Sequence, residues 1–129
     1  MPDFEREVTV PTDPDETFHY LSQPENLPHY IAGMTEAEPE SGNRLHVAAR
    51  IEGRNEEGEA KFQVDRGAYR LEWGAAETGG YHGWLQVEPA STGASVIIHL
   101  HVPDDSNAVK TNRILAETTS NIERILAKR

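Results

Sequence analysis

The chain has 129 residues, a mass of 14.4 kDa and a formal net charge of −10, with six histidines and no cysteine. Its length suits one domain with one core, and the missing cysteine excludes a disulfide scaffold, a cysteine zinc finger and a thiol nucleophile together. Twenty-two acidic residues oppose nine Arg and three Lys that are scattered along the chain, which argues against a nucleic-acid partner, because phosphate binding needs clustered cations.

Asp3 to Val10 alternates, with Phe4, Val8 and Val10 on one face and Glu5, Glu7 and Thr9 on the other, the pattern of a half-buried strand. Asp13-Pro14-Asp15-Glu16 then reads as a helix start: Asp13 as cap, Pro14 at the first helical position, Glu16 reaching back. The short helix carries Phe18 and Leu21 inward. Ser22-Gln23-Pro24-Glu25 opens a second short helix that ends near Tyr30 to Gly33. Neither is long enough to stand alone, so both must lie against something.

The middle reads as a meander of antiparallel strands separated by turn signals about every ten residues. Leu45, Val47, Ala49 and Ile51 share a face; so do Ala60, Phe62 and Val64; Tyr69, Leu71 and Trp73; Tyr81, Leu85 and Val87; and Val96, Ile98, Leu100 and Val102. The turns are expected at Glu40 to Asn43, Asn55 to Gly58, Gly67, Thr78 to Gly80, and Pro89 to Gly93. Alternation of this kind is what a sheet with one wet face requires. Two acidic clusters, Glu36/Glu38/Glu40 and Glu56/Glu57/Glu59, read as a solvated rim. From about Asp105 to Ala127 the period changes: Leu115, Ile122 and Leu126, with Thr111, Thr118 and Thr119, fall on one face of a helix of some 20 residues, roughly 30 Å long.

The expected order is strand, two short helices, six strands (five of them the alternating segments above), one long helix, in a single domain over residues 1–129. An antiparallel sheet with one long helix on a face is an α+β solution; a seven-stranded sheet curls, and a helix gripped in the curl leaves room for a hollow beside it. No apolar run is long enough to span a membrane. The opening MPDFEREVTV has no basic region followed by an apolar stretch, so it does not read as a signal peptide, and a cytoplasmic protein is expected.

This order resembles the helix-grip fold of the START-like (SRPBCC) superfamily, and within it the polyketide cyclase/dehydrase and lipid-transport group. Val8-Thr9-Val10-Pro11, Asp15 to Phe18 with Tyr20-Leu21, and Pro24 to Tyr30 resemble that group's opening strand and paired short helices. Arg70-Leu71-Glu72-Trp73 resembles one of its strands, and Gly83 to Pro89 followed by Gly93 to Leu100 resembles its hairpin. Tyr30 stands where tryptophan is usual, Val87 where phenylalanine is usual, and Ala94 near the usual threonine. The resemblance implies an apolar cavity between the sheet and the last helix, with no cofactor required.

The candidate ligand-binding residues are Tyr30, Phe62, Tyr69, Trp73 and Tyr81, with Leu115, Thr118 and Ile122 of the long helix. Rings with a polar tip suit an apolar ligand held by one or two hydrogen bonds, and Tyr30 is expected at the gate. The threonines equally suit bonds to carbonyls one turn back in their own helix. His99 and His101 share a strand face, and pairing Val87 with Val96 sets His82 opposite His101 and Trp84 opposite His99. With no carboxylate placed to complete a ligand set, these histidines read as an outer face and no metal is expected. Trp84 and Ile97 beside them fit a homodimer surface weakly. The leading reading is a binder of a small, mostly apolar molecule of lipid, polyketide or isoprenoid type. Two alternatives stay open: a cyclase/dehydratase using Tyr69, Tyr81, His19 or His29 as acid/base groups, and a protein-interaction module with a closed core.

Overall fold

The computed structural model describes residues 3–40, 42–51, 53–75, 82–101 and 108–127. The chain runs β1 (Asp3–Val10), α1 (Pro14–Leu21), a 3-10 turn (Pro24–Asn26), α2 (Leu27–Tyr30), β2 (Met34–Glu40), β3 (Arg44–Ile51), β4 (Arg54–Asp65), β5 (Arg70–Ala75), β6 (His82–Ala90), β7 (Gly93–His101) and α3 (Ala108–Leu126). The strands form one antiparallel sheet in the order β1-β7-β6-β5-β4-β3-β2, so consecutive strands neighbour one another and β1 joins the far edge beside β7. This is the helix-grip fold expected from the order of elements.

Local chemistry explains the starts and stops. The Asp13 side chain accepts from the Glu16 amide at 2.9 Å at the head of α1, where Pro14 occupies the first turn. At the far end of the chain, the Thr12 hydroxyl donates to the Leu126 carbonyl at 2.6 Å. One of the last carbonyls of α3 is thereby satisfied by the β1–α1 connection rather than by water, and the two ends of the chain are tied.

Burial follows the alternation. Phe18, Leu21, Leu71, Leu115 and Ile122 are each at most 2% exposed and belong, with Phe62, to one core, as their shared faces require. The hairpin register also agrees with expectation: Val87 pairs Val96, Leu85 pairs Ile98, Trp84 pairs His99 and His82 pairs His101.

Three local readings differ. The stretch Met34–Glu40, taken for part of an acidic rim, is also a strand, and it bulges between Met34 and Glu36; with only Met34 and Ala37 facing inward, its alternation carries little signal. The turn expected at Asn55 to Gly58 lies inside β4, because Ile51 already pairs Arg54 and Gly53 takes the left-handed φ of 80° that a tight hairpin needs. Tyr69 is not on β5 but in the turn before it, with φ 53°. Tyr81 and Val102 lie outside the described residues.

Glycine is required at position 83. A Cβ there would stand 2.5 Å from the His99 carbonyl oxygen and 2.9 Å from both Leu100 Cδ2 and Trp73 Cζ2, so the bare Cα is what lets the Trp73 indole lie against β6. Gly83→Ala should therefore destabilise the fold by about 1–3 kcal/mol, the usual cost of overpacking. Urea midpoints would check this, and an unchanged midpoint would show that β6 and β7 separate freely.

Candidate functional site

The inner face of the sheet has two differently covered halves. On β5, β6 and β7, Leu71, Leu85, Val87, Val96 and Ile98 share one core with Leu115, Ile122 and Leu126 of α3, and every one of them is at most 2% exposed. Leu115 and Ile122, expected to line a hollow, thus sit in the packed centre. Toward β2 the cover thins: Ile31, Met34, Ala37, Val47 and Trp73 pack against that core yet remain only partly buried. Phe62 and Trp73 are register partners at the boundary between the halves.

The short helices are locked rather than loose. The Tyr30 hydroxyl donates to the Leu21 carbonyl at 2.6 Å, Asn121 Nδ2 donates to the Tyr30 carbonyl at 3.2 Å, and the Ala32 amide donates to Thr118 Oγ1 at 3.0 Å. Tyr30 is 2% exposed, so its ring joins α1, α2 and α3 instead of standing at an open gate. Burial, with the neighbouring Tyr20 as a smaller cause, pushes its hydroxyl far above the ordinary tyrosine value, which removes it from proton transfer near neutral pH. Thr119 bonds the Ala116 carbonyl of its own helix at 2.9 Å; Thr118 Oγ1 instead accepts from the Ala32 amide just past the end of α2.

Tyr69 does something the alternation did not reveal. Its left-handed backbone, costly for a bulky residue, turns the ring onto Phe18, with centroids 5.4 Å apart, and its hydroxyl donates to the Asp15 carboxylate. It therefore leaves the inner face of β5 and borders a concavity of about 580 Å³ shared with Asp13, Asp15, Glu16 and Pro89. His19 and His29 are exposed, and among the described residues neither has a hydrogen-bonding carboxylate.

The outer face carries the histidines. His101 Nδ1 lies 2.6 Å from Asp3, and His99 reaches Glu5 at 3.1 Å and Asp3 at 3.5 Å. These carboxylates come from β1, and sequence spacing missed them because the pairing of β1 with β7 joins residues nearly a hundred positions apart. The hydrogen bond from His101 is the largest reason the Asp3 carboxyl titrates below its ordinary value. Across the sheet, His46 sits between Glu57 at 2.9 Å and Glu59 at 3.5 Å. The neighbouring Glu38 raises the titration of Glu36 and Glu59 raises that of Glu40, while Glu40 lowers that of Glu59. Glu36, His46 and Glu57, and likewise Glu40, His46 and Glu59, bring one donor atom each within 4.8 Å of the others. These are the described residues best placed to hold a cation; their carboxylates are exposed, and the geometry by itself assigns no metal. Among the described residues, no helix is long and apolar enough to cross a membrane.

A family model described as polyketide cyclase / dehydrase and lipid transport matches residues 1–128. The chain belongs to this family. No curated protein matches the sequence. Among solved structures, the family member described here resembles Ara h 8.0201 (TM-score 0.70, 18% identity, 99% of each chain). It also resembles the di-domain ARO/CYC BexL of the BE-7585A biosynthetic pathway (TM-score 0.74, 22% identity), covering 95% of this chain and 47% of that one. A third is major latex-like protein 151 of Panax ginseng (TM-score 0.77, 11% identity, 97% of each chain). At these identities the likeness is one of fold.

The surroundings of His46 have a pH consequence. Its hydrogen bond to Glu57 is the largest cause, followed among the raising causes by Glu59, that lifts its titration above the ordinary 6.5. A raised value means the charged ring stabilises the fold fully below pH 6.5, and that this contribution is lost as pH rises through the folded value. An NMR titration should place the His46 ring above 6.5 and the Glu57→Gln variant closer to it. A ring that titrates identically in both would remove the pairing.

Proposed function

We propose that this family member binds a small, mostly apolar molecule of lipid, polyketide or isoprenoid type on the half-covered part of the inner sheet face. The observation that carries the reading is the contrast in cover. Beneath α3 the apolar side chains are sealed, whereas Ile31, Met34, Ala37, Val47 and Trp73 form an apolar wall that the protein itself only partly closes. Apolar surface left open beside a rigid core is a place where a ligand gains the burial the protein omits. Of the residues expected to bind, Phe62 and Trp73 border this wall, Leu115 and Ile122 form the packed support behind it, Thr118 and Tyr30 hold the adjoining helices in place, and Tyr81 lies outside the described residues.

The family and the likeness to a cyclase di-domain also support a second reading, cyclisation or dehydration of a polyketide-type substrate. One specific observation favours it: the Tyr69 hydroxyl donates to Asp15 beside an open concavity, a paired phenol and carboxylate able to pass a proton. Tyr69→Phe would separate this reading from simple binding, since it should abolish turnover of such a substrate while leaving uptake at the inner wall intact.

Two measurements test the leading reading. Titration with the neutral fluorophore Nile red should reach a one-to-one limit, and Val47→Gln should weaken uptake about tenfold, the worth of roughly 1.4 kcal/mol, while the exposed control Val109→Gln leaves it unchanged. Absence of uptake, or equal uptake in all three proteins, would overturn it. Separately, Phe62→Ala should cost about 3–5 kcal/mol of stability as packed core, and Trp73→Ala clearly less, because a wall residue lacks neighbours on one side. Equal large losses in the denaturant midpoints would mean that the wall is closed.

A further inference from the structure

A second concavity, of about 600 Å³, lies against the outer face of the sheet, and its lining includes Arg44, Lys61, Gly74, His82 and Trp84. The registers explain its shape. Arg44 pairs Lys61, Lys61 pairs Gly74, and Gly74 pairs His82, so one row across β3, β4, β5 and β6 reads cation, cation, gap, imidazole. Gly74, which carries no side chain, is among the residues lining the depression. Like charges directly opposite one another on neighbouring strands are destabilising, and Arg44 and Lys61 are set that way in a chain whose net charge is −10.

On β2, Glu40 stands directly opposite Arg44 and answers its charge. The lining carboxylate, Glu72, bonds Arg70 at 3.3 Å, while the field of Arg44 also reaches Glu40 and Glu59. Among the described residues, Lys61 has no carboxylate within ion-pair distance. The next row supplies a rigid aromatic wall: the Trp84 indole lies parallel to the His99 ring within 4°, with centroids 5.2 Å apart, and the Arg70 guanidinium lies 4.3 Å from its ring centre. Arg70 is itself held by Gln86 at 3.1 Å, and Gln86 by the Ala68 carbonyl at 2.7 Å. The volume falls within the range of small-molecule pockets, and an aromatic wall with a few convergent polar groups is their usual make-up.

We propose that this outer groove binds a small organic oxyanion, a carboxylate or phosphate on a flat apolar body, with its head over Gly74 between Lys61 and His82 and its body along Trp84. The site takes its cations from the outer row, whereas the inner wall is apolar; Trp73 borders both, and neither reading depends on the other. The oxyanion meets the Lys61 ammonium, which among the described residues has no carboxylate partner, beside a position, Gly74, that carries no side chain. The chemistry distinguishes it from a purely apolar ligand, which gains nothing from this row of cations.

Backbone amide NMR titrations with 2-naphthoate, naphthyl phosphate, inorganic phosphate and the neutral 2-naphthalenemethanol test this. The naphthyl anions should shift the amides around Lys61, Gly74 and His82 saturably, with the neutral alcohol and bare phosphate each binding at least about tenfold more weakly; the stronger of the two naphthyl anions identifies the head group. Lys61→Gln should weaken binding about tenfold or more, the loss expected for one charge-assisted hydrogen bond, and Gly74→Val should block it by filling the gap. An unchanged thermal midpoint in the exposed Lys61→Gln variant separates this from misfolding. The proposal fails if the anions shift only Met34, Ala37 and Val47, if the neutral alcohol binds the groove equally well, or if Lys61→Gln binds like the parent. Failure of Nile red uptake, by contrast, bears only on the inner wall.

Discussion

The stripe formed by Leu115, Ile122 and Leu126 on α3 has to be buried, and the inner face of the curled sheet is the surface that buries it. A helix of this length gains most of its stability from that packing rather than from its own propensity. Everything around it is arranged to hold it there. Thr12 bonds the carbonyl of Leu126 at one end, and the Thr118 and Asn121 bonds to Ala32 and Tyr30 fasten its middle to α2. The core is sealed along β5, β6 and β7, and the width of the sheet toward β2 is left short of cover. The half-open wall of Met34, Ala37, Val47 and Trp73 follows from a seven-stranded sheet being wider than one helix.

The two faces of the sheet then divide the chemistry. The inner face holds apolar side chains and a few hydroxyls already engaged in joints. The outer face holds nearly all the charge and most of the histidines, arranged in cross-strand rows: carboxylates around His46 on β2 to β4, carboxylates on His99 and His101 at β1 and β7, and between them the cations and the indole near Gly74. Glycines matter to both faces for opposite reasons. At position 83 a bare Cα admits the Trp73 indole on the inside, and Gly74 lines the depression on the outside.

Much of this was legible in the order of residues. Period-two alternation identified β3, β6 and β7, and the pairing of Val87 with Val96 and Leu85 with Ile98, one register that parity allows, is the one the hairpin adopts. The spacing of Leu115, Ile122 and Leu126 identified α3 and its buried face. The resemblance to the family, carried by Val8 to Tyr30 and by Arg70 to Trp73, agrees with the family match over residues 1–128. These features are local, and strand or helix geometry converts a local pattern directly into a face.

Tertiary structure alone decided the rest. The sequence by itself determined which residues face inward, because side-chain direction follows from a period of two or of about 3.6. It did not determine what they meet there. That Tyr69 leaves its strand for Phe18 and Asp15 depends on a left-handed turn residue, which alternation cannot see. That Tyr30 is a buried joint, and that Leu115 and Ile122 sit in a filled core, depends on how closely α3 lies on the sheet. The carboxylate partners of His99 and His101, and the row from Arg44 to His82, exist only once strands distant in the chain are set side by side, since each partner comes from a different strand and no spacing along the chain encodes which strands become neighbours.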